Sequence, residues 1–136
     1  MAFELTEQIE EHLTNDQIVW LTTVTPSGWP APRPVWFIWN GTEVIIYSQP
    51  DVAKLKHIAA NGNVSLNFNC TPGGGDVVVL SGQAEMVKDA PLPSGLPGFL
   101  GKYQETITAM GYTQEWYDEY NVAIHVTPDR SWALNG

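Results

Sequence analysis

The segment from residue 32 to residue 58 contains the side chains of this sequence that are best suited to bind a ligand. Trp36 and Phe37 lie in a run typical of β-strands, and such a strand can lie flat against a planar ring. Lys54 and Lys56 follow near the start of a short predicted helix, where ammonium groups and free backbone amides attract an anion. This combination predicts a site for an aromatic, flavin-shaped ligand that carries a phosphate.

Positive charge is scarce in the chain, which has 15 acidic residues against 6 Lys plus Arg and a formal net charge of -9. This excess of acid disfavours binding to nucleic acid or to anionic lipid through a broad basic surface. Arg33, Lys54 and Lys56 nevertheless fall close together in the sequence, where they could form a local anion site. The alternative is that these long side chains are solvated or pair with surface carboxylates.

Further polar groups stand between the aromatic run and the lysines. Tyr47, Ser48 and Gln49 offer hydroxyl and amide groups for hydrogen bonds. Lys54 and Lys56 are two residues apart, so a regular helix would point them to different sides. We therefore expect one direct phosphate ligand from this pair, and Lys54 is favoured.

The remaining reactive side chains identify no catalytic residue and predict no metal site. The three histidines lack the spacing of metal ligands, and Cys70 is the single cysteine, so no internal disulfide can form. Tyr47 and Tyr103 are candidates for donating a proton to a product.

Hydrophobic periodicity predicts a mainly β chain with a few helices beside it. Apolar residues at four-residue spacing indicate a first helix from Leu5 to Leu13, and Asn40-Gly41 is a strong signal for a two-residue hairpin. Gly82 predicts a bulge or a close backbone approach in the fifth strand, and Pro128 is expected to lie beyond the last strand. The predicted strands cover residues 18–24, 33–39, 43–48, 64–69, 77–88 and 121–127, and the later helices cover residues 51–59, 99–110 and 114–120.

The chain resembles the flavin/deazaflavin oxidoreductase superfamily related to pyridoxamine 5'-phosphate oxidase. The resemblance is carried by an ordered series of motifs: Arg33-Pro34-Val35-Trp36-Phe37-Ile38-Trp39, Asn40-Gly41, Ile46-Tyr47-Ser48, Lys54-x-Lys56-x-Ile58 and Asn61-Gly62-Asn63-Val64-Ser65-Leu66. Within this superfamily, Lys102-Tyr103 and residues 122–130 are similar to the F420-dependent reductases of the B group. The similarity runs from about residue 5 to residue 134.

This resemblance implies an FMN-binding-type split β-barrel of about six antiparallel strands in Greek-key-like order, as a single domain over residues 1–136. It also implies a homodimer that holds each cofactor, F420 or alternatively FMN, in a groove between its subunits. One set of residues would run along the cofactor ring, and a second set would face its phosphate-bearing chain. These sets are Arg33, Pro34, Val35 and Trp36 for the ring, and Tyr47, Ser48, Gln49, Lys54 and Lys56 for the phosphate, with Arg33 able to approach either the ring or the phosphate.

Three functions remain open on such a fold. The first is an oxidoreductase that uses F420 to transfer a hydride to a small electron-poor organic substrate. The second is an FMN-dependent oxidase or reductase, and the third is a non-catalytic protein that binds a flavin, F420 or a haem-like ligand. In each case the choice of small molecule is expected to depend partly on residues 90–103 and on the second subunit.

The start of the sequence lacks the basic and apolar regions of a signal peptide. No apolar run approaches the roughly 20 residues that are needed to cross a bilayer. We expect a cytoplasmic protein that has no membrane or nucleic-acid partner.

Overall fold

One antiparallel sheet and four α-helices make up the computed structural model, which describes residues 3–135. The elements are α1 (Glu7–Asn15), β1 (Ile18–Val24), β2 (Pro30–Trp36), β3 (Ile38–Trp39), β4 (Val44–Ser48), α2 (Ala53–Ala60), β5 (Asn63–Asn67), β6 (Val77–Val87), α3 (Phe99–Met110), α4 (Gln114–Asp118) and β7 (Val122–Leu134). The strands lie in the order β2-β1-β5-β6-β7-β4-β3. The ends of the predicted domain, Met1, Ala2 and Gly136, lie outside the described residues.

The sheet closes on itself at Phe37. β2 and β3 occupy opposite edges of the sheet, yet Phe37 is the single residue between them in the chain. The two edges must therefore meet, which requires the sheet to curl. The result is a split β-barrel, and the predicted fold class is confirmed.

Helix α3 holds this junction through two neighbouring side chains. The buried Tyr103 hydroxyl accepts a hydrogen bond from the Phe37 N–H at 2.9 Å and lies 2.6 Å from the Gln17 carbonyl oxygen. Lys102 Nζ donates to the Phe37 carbonyl oxygen at 3.0 Å and stands 3.5 Å from the centroid of the Phe37 ring. Both backbone groups of the junction residue are thus paired, as buried backbone requires.

The free edge of β2 is shaped by three prolines at alternate positions. Pro30, Pro32 and Pro34 pair opposite residues of β1 in an unbroken register from one end of β2 to the other. Backbone groups of successive strand residues point to alternate sides, so the three missing N–H groups share one side. An intact ladder with β1 places that side on the free edge, where proline is tolerated and where it discourages pairing with another strand.

The main core lies between the inner face of the sheet and helices α1 and α2. Every second residue of β1 is buried at Val19, Leu21 and Thr23, and Val78 and Leu80 continue this face on β6. A second cluster forms where α3 and α4 pack on β2 and β3. Its buried members are Ile38, Phe99, Tyr103, Ile107 and Tyr117.

The predicted second strand is wrong in its bounds. It was expected over residues 33–39, but the chain breaks at Phe37 into β2 and β3, which pair with different neighbours. The sheet described here accordingly has seven strands rather than six. The alternation of apolar and polar residues within 33–39 could not show this break. Closure of the barrel causes the break, and closure depends on strands that are distant in sequence.

The last strand is also longer than expected, since β7 continues through Pro128 to Leu134. Pro128 lies opposite Gly82, where the register of β6 and β7 shifts, which confirms the predicted irregularity at Gly82. A Cβ atom on Gly82 would clash with the Thr127 carbonyl oxygen, so the close approach requires glycine. The bulge accommodates a residue that lacks an N–H, and pairing resumes beyond it.

Smaller differences concern element ends. Helix α1 begins at Glu7, because the Thr6 hydroxyl caps it by accepting from the Ile9 N–H at 3.2 Å, and Leu5 lies exposed before the cap. The turn after β3 is held by Asn40, whose side-chain oxygen accepts from the backbone N–H groups of Thr42 and Glu43. No helix among the described residues is long and apolar enough to cross a membrane.

Removal of the Tyr103 hydroxyl should weaken the barrel closure. We expect Tyr103→Phe to lower the free energy of unfolding by about 1 to 3 kcal/mol, because the buried Phe37 N–H loses its partner. Urea unfolding followed by tryptophan fluorescence measures this change. The matched control is Tyr112→Phe, which removes a hydroxyl that has no hydrogen-bond partner within residues 3–135. Equal losses of unfolding free energy in both variants would contradict the role of the Tyr103 hydroxyl at Phe37.

A buried histidine ties α1 to the loop before β6. His12 Nδ1 lies 2.6 Å from Asp16 Oδ2, and His12 Nε2 lies 2.9 Å from Asp76 Oδ1, which also accepts from Gln8. Burial opposes the charged imidazole, but the hydrogen bonds to Asp16 and Asp76 outweigh it and raise the pKa of His12. Both ring nitrogens face carboxylates, so the protonated form satisfies both contacts.

This histidine makes stability depend on pH. A raised folded pKa means that the contribution of His12 is fully present below its unfolded pKa of about 6.5 and is lost as the pH rises through the folded value. We expect His12→Gln to cost up to about 1 kcal/mol more at about pH 5.5 than at about pH 8.5, a modest amount because Asp76 is half-exposed. The control is His57→Gln, because a ring nitrogen of His57 contacts the neutral Thr23 hydroxyl instead of a carboxylate. A cost for His12→Gln that grows with pH would contradict this account.

Candidate functional site

A cavity of about 700 Å³ lies between β2, β4 and the segment that contains α3 and α4. The structure brings eight of the nine predicted site residues to this one cavity. These are Arg33, Pro34, Val35, Trp36, Tyr47, Ser48, Gln49 and Lys54. Strand β2 contributes the first four and the end of β4 contributes Tyr47 and Ser48, so barrel closure is what places them together.

Two cations that lie close to each other line the cavity. Arg33 is exposed on the free-edge strand β2, and Lys54 is half-buried in the first turn of α2. Burial lowers the pKa of Lys54, and the nearby Arg33 guanidinium lowers it further. In the described part of the chain, neither cation forms an ion pair with a carboxylate. Two close cations without a counter-charge repel each other, and a bound anion would reduce this repulsion.

The start of α2 adds backbone donors beside Lys54. Val52 is the N-cap residue and makes no side-chain capping bond, so the first amides of α2 are not capped by a side chain. Val52 and Lys54 both line the cavity. The arrangement joins a helix N-terminus to two cationic side chains.

The predicted polar residues differ in what they can offer. The buried Ser48 hydroxyl donates its proton to the Gln49 carbonyl oxygen at 2.8 Å, so it can accept a hydrogen bond from a ligand but has no proton to donate. Lys56 is exposed and lies outside the cavity lining, two residues along α2 from Lys54. Residues two apart on a helix point to different sides, which explains why Lys54 lines the cavity and Lys56 does not.

Another part of the cavity lining is a wall of aromatic side chains. Tyr112 and Trp116 stack with centroids 3.9 Å apart and an interplanar angle of 17°, and Trp116 meets the ring of Trp36 edge-on at 6.4 Å and 74°. Sequence reasoning missed this wall except for Trp36. The signal that could have found it is the presence of four aromatic residues between positions 112 and 120. The wall is formed by Trp36, Phe99, Tyr112, Trp116, Tyr117 and Tyr120.

The two tyrosines proposed as proton donors are already engaged. Burial raises the pKa of Tyr103, whose hydroxyl serves the Phe37 junction and does not line the cavity. Tyr47 lines the cavity, but its hydroxyl donates to the Pro91 carbonyl oxygen at 2.6 Å. Burial and the charge of Asp118 raise the pKa of Tyr47. Neither phenol is therefore poised to release a proton to a ligand.

Within residues 3–135, no group of three or more His, Cys, Asp and Glu side chains could hold a metal ion. The cavity combines an anion site with an aromatic wall, and its chemistry suits an organic ligand with a planar part and an anionic part.

Residues 5–135 match the family described as pyridoxamine 5'-phosphate oxidase. The chain belongs to this family. The predicted superfamily is thereby confirmed over nearly the whole length of the chain. No curated protein sequence matches the chain significantly.

Solved structures that resemble this member of the pyridoxamine 5'-phosphate oxidase family share its fold. A protein named F420 reductase is 24% identical with a TM-score of 0.70, and the match covers 94% of this chain and 98% of that one. A protein of Listeria innocua named after pyridoxamine 5'-phosphate oxidase is 21% identical, with a TM-score of 0.68 and coverage of 98% and 100%. The haem storage protein HutZ of Vibrio cholerae is 13% identical, with a TM-score of 0.66 and coverage of 97% and 96%. At these identities the likeness shows the fold.

Lys54 should cost stability while its charge has no counter-ion. We expect Lys54→Met, which keeps the aliphatic stem, to raise the free energy of unfolding at low salt by up to about 1 kcal/mol, because it removes a half-buried charge beside Arg33. Added salt should reduce this gain. Chemical unfolding at two ionic strengths measures it, and the exposed Lys56→Met is the control. A loss of stability in Lys54→Met at low salt would contradict the repulsion.

Proposed function

We propose that this protein is an oxidoreductase that uses the deazaflavin F420 to deliver a hydride to a small electron-poor organic substrate. The observation that carries the proposal is the single cavity that joins the cations Arg33 and Lys54, which lack carboxylate partners in the described chain, to an aromatic wall. Membership of the pyridoxamine 5'-phosphate oxidase family and the fold shared with an F420 reductase support it.

The residues present fit a cofactor with a phosphate and a planar ring. Arg33, Lys54 and the first amides of α2 would hold the phosphate by charge-assisted hydrogen bonds. Pro34, Val35 and Trp36 continue from Arg33 along β2 and would contact the ring. Three residues of a strand span about 10 Å, so Arg33 and Trp36 are separated along β2 by roughly that distance.

Bound F420 would supply the hydride chemistry itself, so the protein does not need to provide a nucleophile or a metal. The chain positions the ligand by its cations and excludes water with its apolar wall. Ser48, Pro34 and Val35 would fix the cofactor edge between β2 and β4. Because the phenols of Tyr47 and Tyr103 already donate to backbone carbonyls, a proton for the product would come from solvent.

The net charge of -9 opposes the approach of an anionic cofactor. Affinity must therefore come from short-range contacts at Arg33 and Lys54, which act within a few ångströms. Beyond about 8 Å the attraction of these cations is largely screened at physiological salt. The proposal also includes a homodimer, since Arg33, Pro34 and Gln49 line the cavity at exposed positions that a second subunit could cover.

Lys54 should dominate cofactor affinity over Lys56. We expect Lys54→Ala to weaken F420 binding by about 1 to 3 kcal/mol, roughly five- to 150-fold in Kd, because a charge-assisted contact is lost. Lys56→Ala should leave the Kd within twofold, since that side chain lies outside the cavity. Quenching of F420 fluorescence on titration measures both values, and the loss for Lys54→Ala should shrink in high salt.

Titration with FMN under the same conditions separates the alternatives. Tighter binding of FMN than of F420 would replace the proposal with an FMN-dependent oxidase or reductase on the same cavity. Binding of F420 without oxidation of its reduced form by enones, quinones or nitro compounds would indicate a non-catalytic binding protein. An equal Kd for wild type and Lys54→Ala would remove Lys54 from the site.

A further inference from the structure

Arg33 and Lys54 repel each other, so the fold has to hold them together. Arg33 belongs to β2 and Lys54 to the first turn of α2, and the charge of Arg33 reaches Lys54 closely enough to lower its pKa. Among the described residues, neither cation forms an ion pair with a carboxylate that would offset this repulsion. The repulsion acts to move the start of α2 away from β2, and contacts elsewhere on the helix must resist it.

Most contacts of α2 do not fix its rotation about the helix axis. Leu55 and Ile58 are buried in the main core, but apolar packing is non-directional. The Gly62 carbonyl oxygen accepts from the Ala84 N–H at 2.7 Å, which anchors the chain just beyond the C-terminal end of the helix. At the N-terminal end, Val52 makes no side-chain capping bond. A directional contact from within the helix would fix the rotation.

Thr23 and His57 make such a contact. Thr23 is 2% exposed on the inner face of β1, where the preceding inward residues are Val19 and Leu21. Valine has nearly the shape of threonine and would suit this buried strand position, so the hydroxyl calls for a specific partner. That partner is His57 of α2, whose Nδ1 lies 2.9 Å from the Thr23 hydroxyl oxygen. A hydrogen bond is directional and therefore orients the helix as well as attaching it.

The contact links the elements that carry the two cations. On α2, His57 follows Lys54 by three positions, so the two side chains are neighbours on one side of the helix. On the sheet, Leu21 of β1 lies opposite Arg33 of β2, and Thr23 is two residues further along β1. Residues two apart on a strand share a face, so Thr23 and Arg33 belong to the same face of the sheet. The hydrogen bond thus ties the side of α2 that bears Lys54 to the strand pair that bears Arg33.

We propose that Thr23 and His57 are positioning residues of the anion site, and that their hydrogen bond fixes the rotation of α2 so that Lys54 stays beside Arg33. Neither Thr23 nor His57 lines the cavity, so both act through the helix and not through a contact with the ligand. The positioning of the two cations does not depend on which anion binds. That the anion is the phosphate of F420 rests on the proposed function.

The titration of Lys54 tests this role in the ligand-free protein. Loss of the hydroxyl in Thr23→Val should let α2 turn, so that Lys54 moves away from Arg33 and into solvent. Both changes should raise the pKa of Lys54 toward its ordinary value, because burial and Arg33 are what lower it. NMR spectroscopy of the lysine side chains measures this pKa, and Lys54→Arg identifies the signal. Thr23→Ser, which keeps the hydroxyl, should retain the wild-type value, and an unchanged pKa in Thr23→Val would overturn the proposal.

A double variant assigns the effect to the hydrogen bond itself. His57→Phe removes the same contact from the helix side and keeps an aromatic ring. If the contact is the cause, the variant with both Thr23→Val and His57→Phe should raise the pKa of Lys54 no further than either single change. The matched control is Thr106→Val on α3, which removes a hydroxyl that donates to Gln17 Oε1 at 2.8 Å and should leave this pKa unchanged. Additive rises, or an equal rise in Thr106→Val, would overturn the positioning role.

Binding of F420 tests the consequence for the site. We expect Thr23→Val to raise the Kd of F420 about two- to tenfold, the scale of one hydrogen bond, and Thr23→Ser to leave it near the wild-type value. In a Lys54→Ala background the rise caused by Thr23→Val should be smaller, because the cation to be positioned is gone. An equal rise in both backgrounds would overturn the proposal. If F420 fails to bind the wild type while Thr23→Val still raises the pKa of Lys54, the proposed function fails and the positioning role stands.

Discussion

The hydrogen bonds at Phe37 determine the geometry of the rest of the molecule. This residue joins the two edges of the sheet, and its backbone N–H and carbonyl groups are paired with Tyr103 and Lys102 of α3. Phe37 also lines the cavity, together with Arg33 of β2 and Tyr47 of β4. A shift at this junction would move one wall of the cavity relative to the other, so the barrel closure and the ligand site share one support. Because both backbone groups of Phe37 are hydrogen-bonded, this one buried residue can connect β2 to β3 without leaving an unpaired polar group.

The net charge of the protein is negative, whereas the charged side chains that line the cavity, among the described residues, are positive. The surface as a whole is acidic, while the cavity keeps two cations whose proximity disfavours the charge of Lys54. We expect this arrangement to cost stability in the free protein, and a bound anion would reduce that cost. Functional sites commonly concentrate such perturbed groups, and here the perturbation has a structural cause in burial and in the neighbouring Arg33.

Local sequence patterns predicted much of this structure. The bounds of α3 agree with the expected residues 99–110, because a Gly on each side limits the helix and its apolar spacing is regular. The separation of Lys54 from Lys56 likewise follows from the helical period. In contrast, the break at Phe37 and the continuation of β7 through Pro128 depend on neighbours distant in sequence. Periodicity within one strand carries no information about which strand lies beside it.

The sequence by itself determined which residues could bind an anion and a planar ring, since residue type and spacing along one strand and one helix are local properties. Eight of the nine residues that these local patterns and the family resemblance together indicated line one cavity. Only the tertiary structure decided that Tyr112 and Trp116, about 80 residues further along the chain, complete that cavity, and that Tyr103 supports the junction instead of donating a proton. The physical reason is that barrel closure and the packing of α3 and α4 create these contacts, and such long-range contacts leave no periodic signal in the sequence.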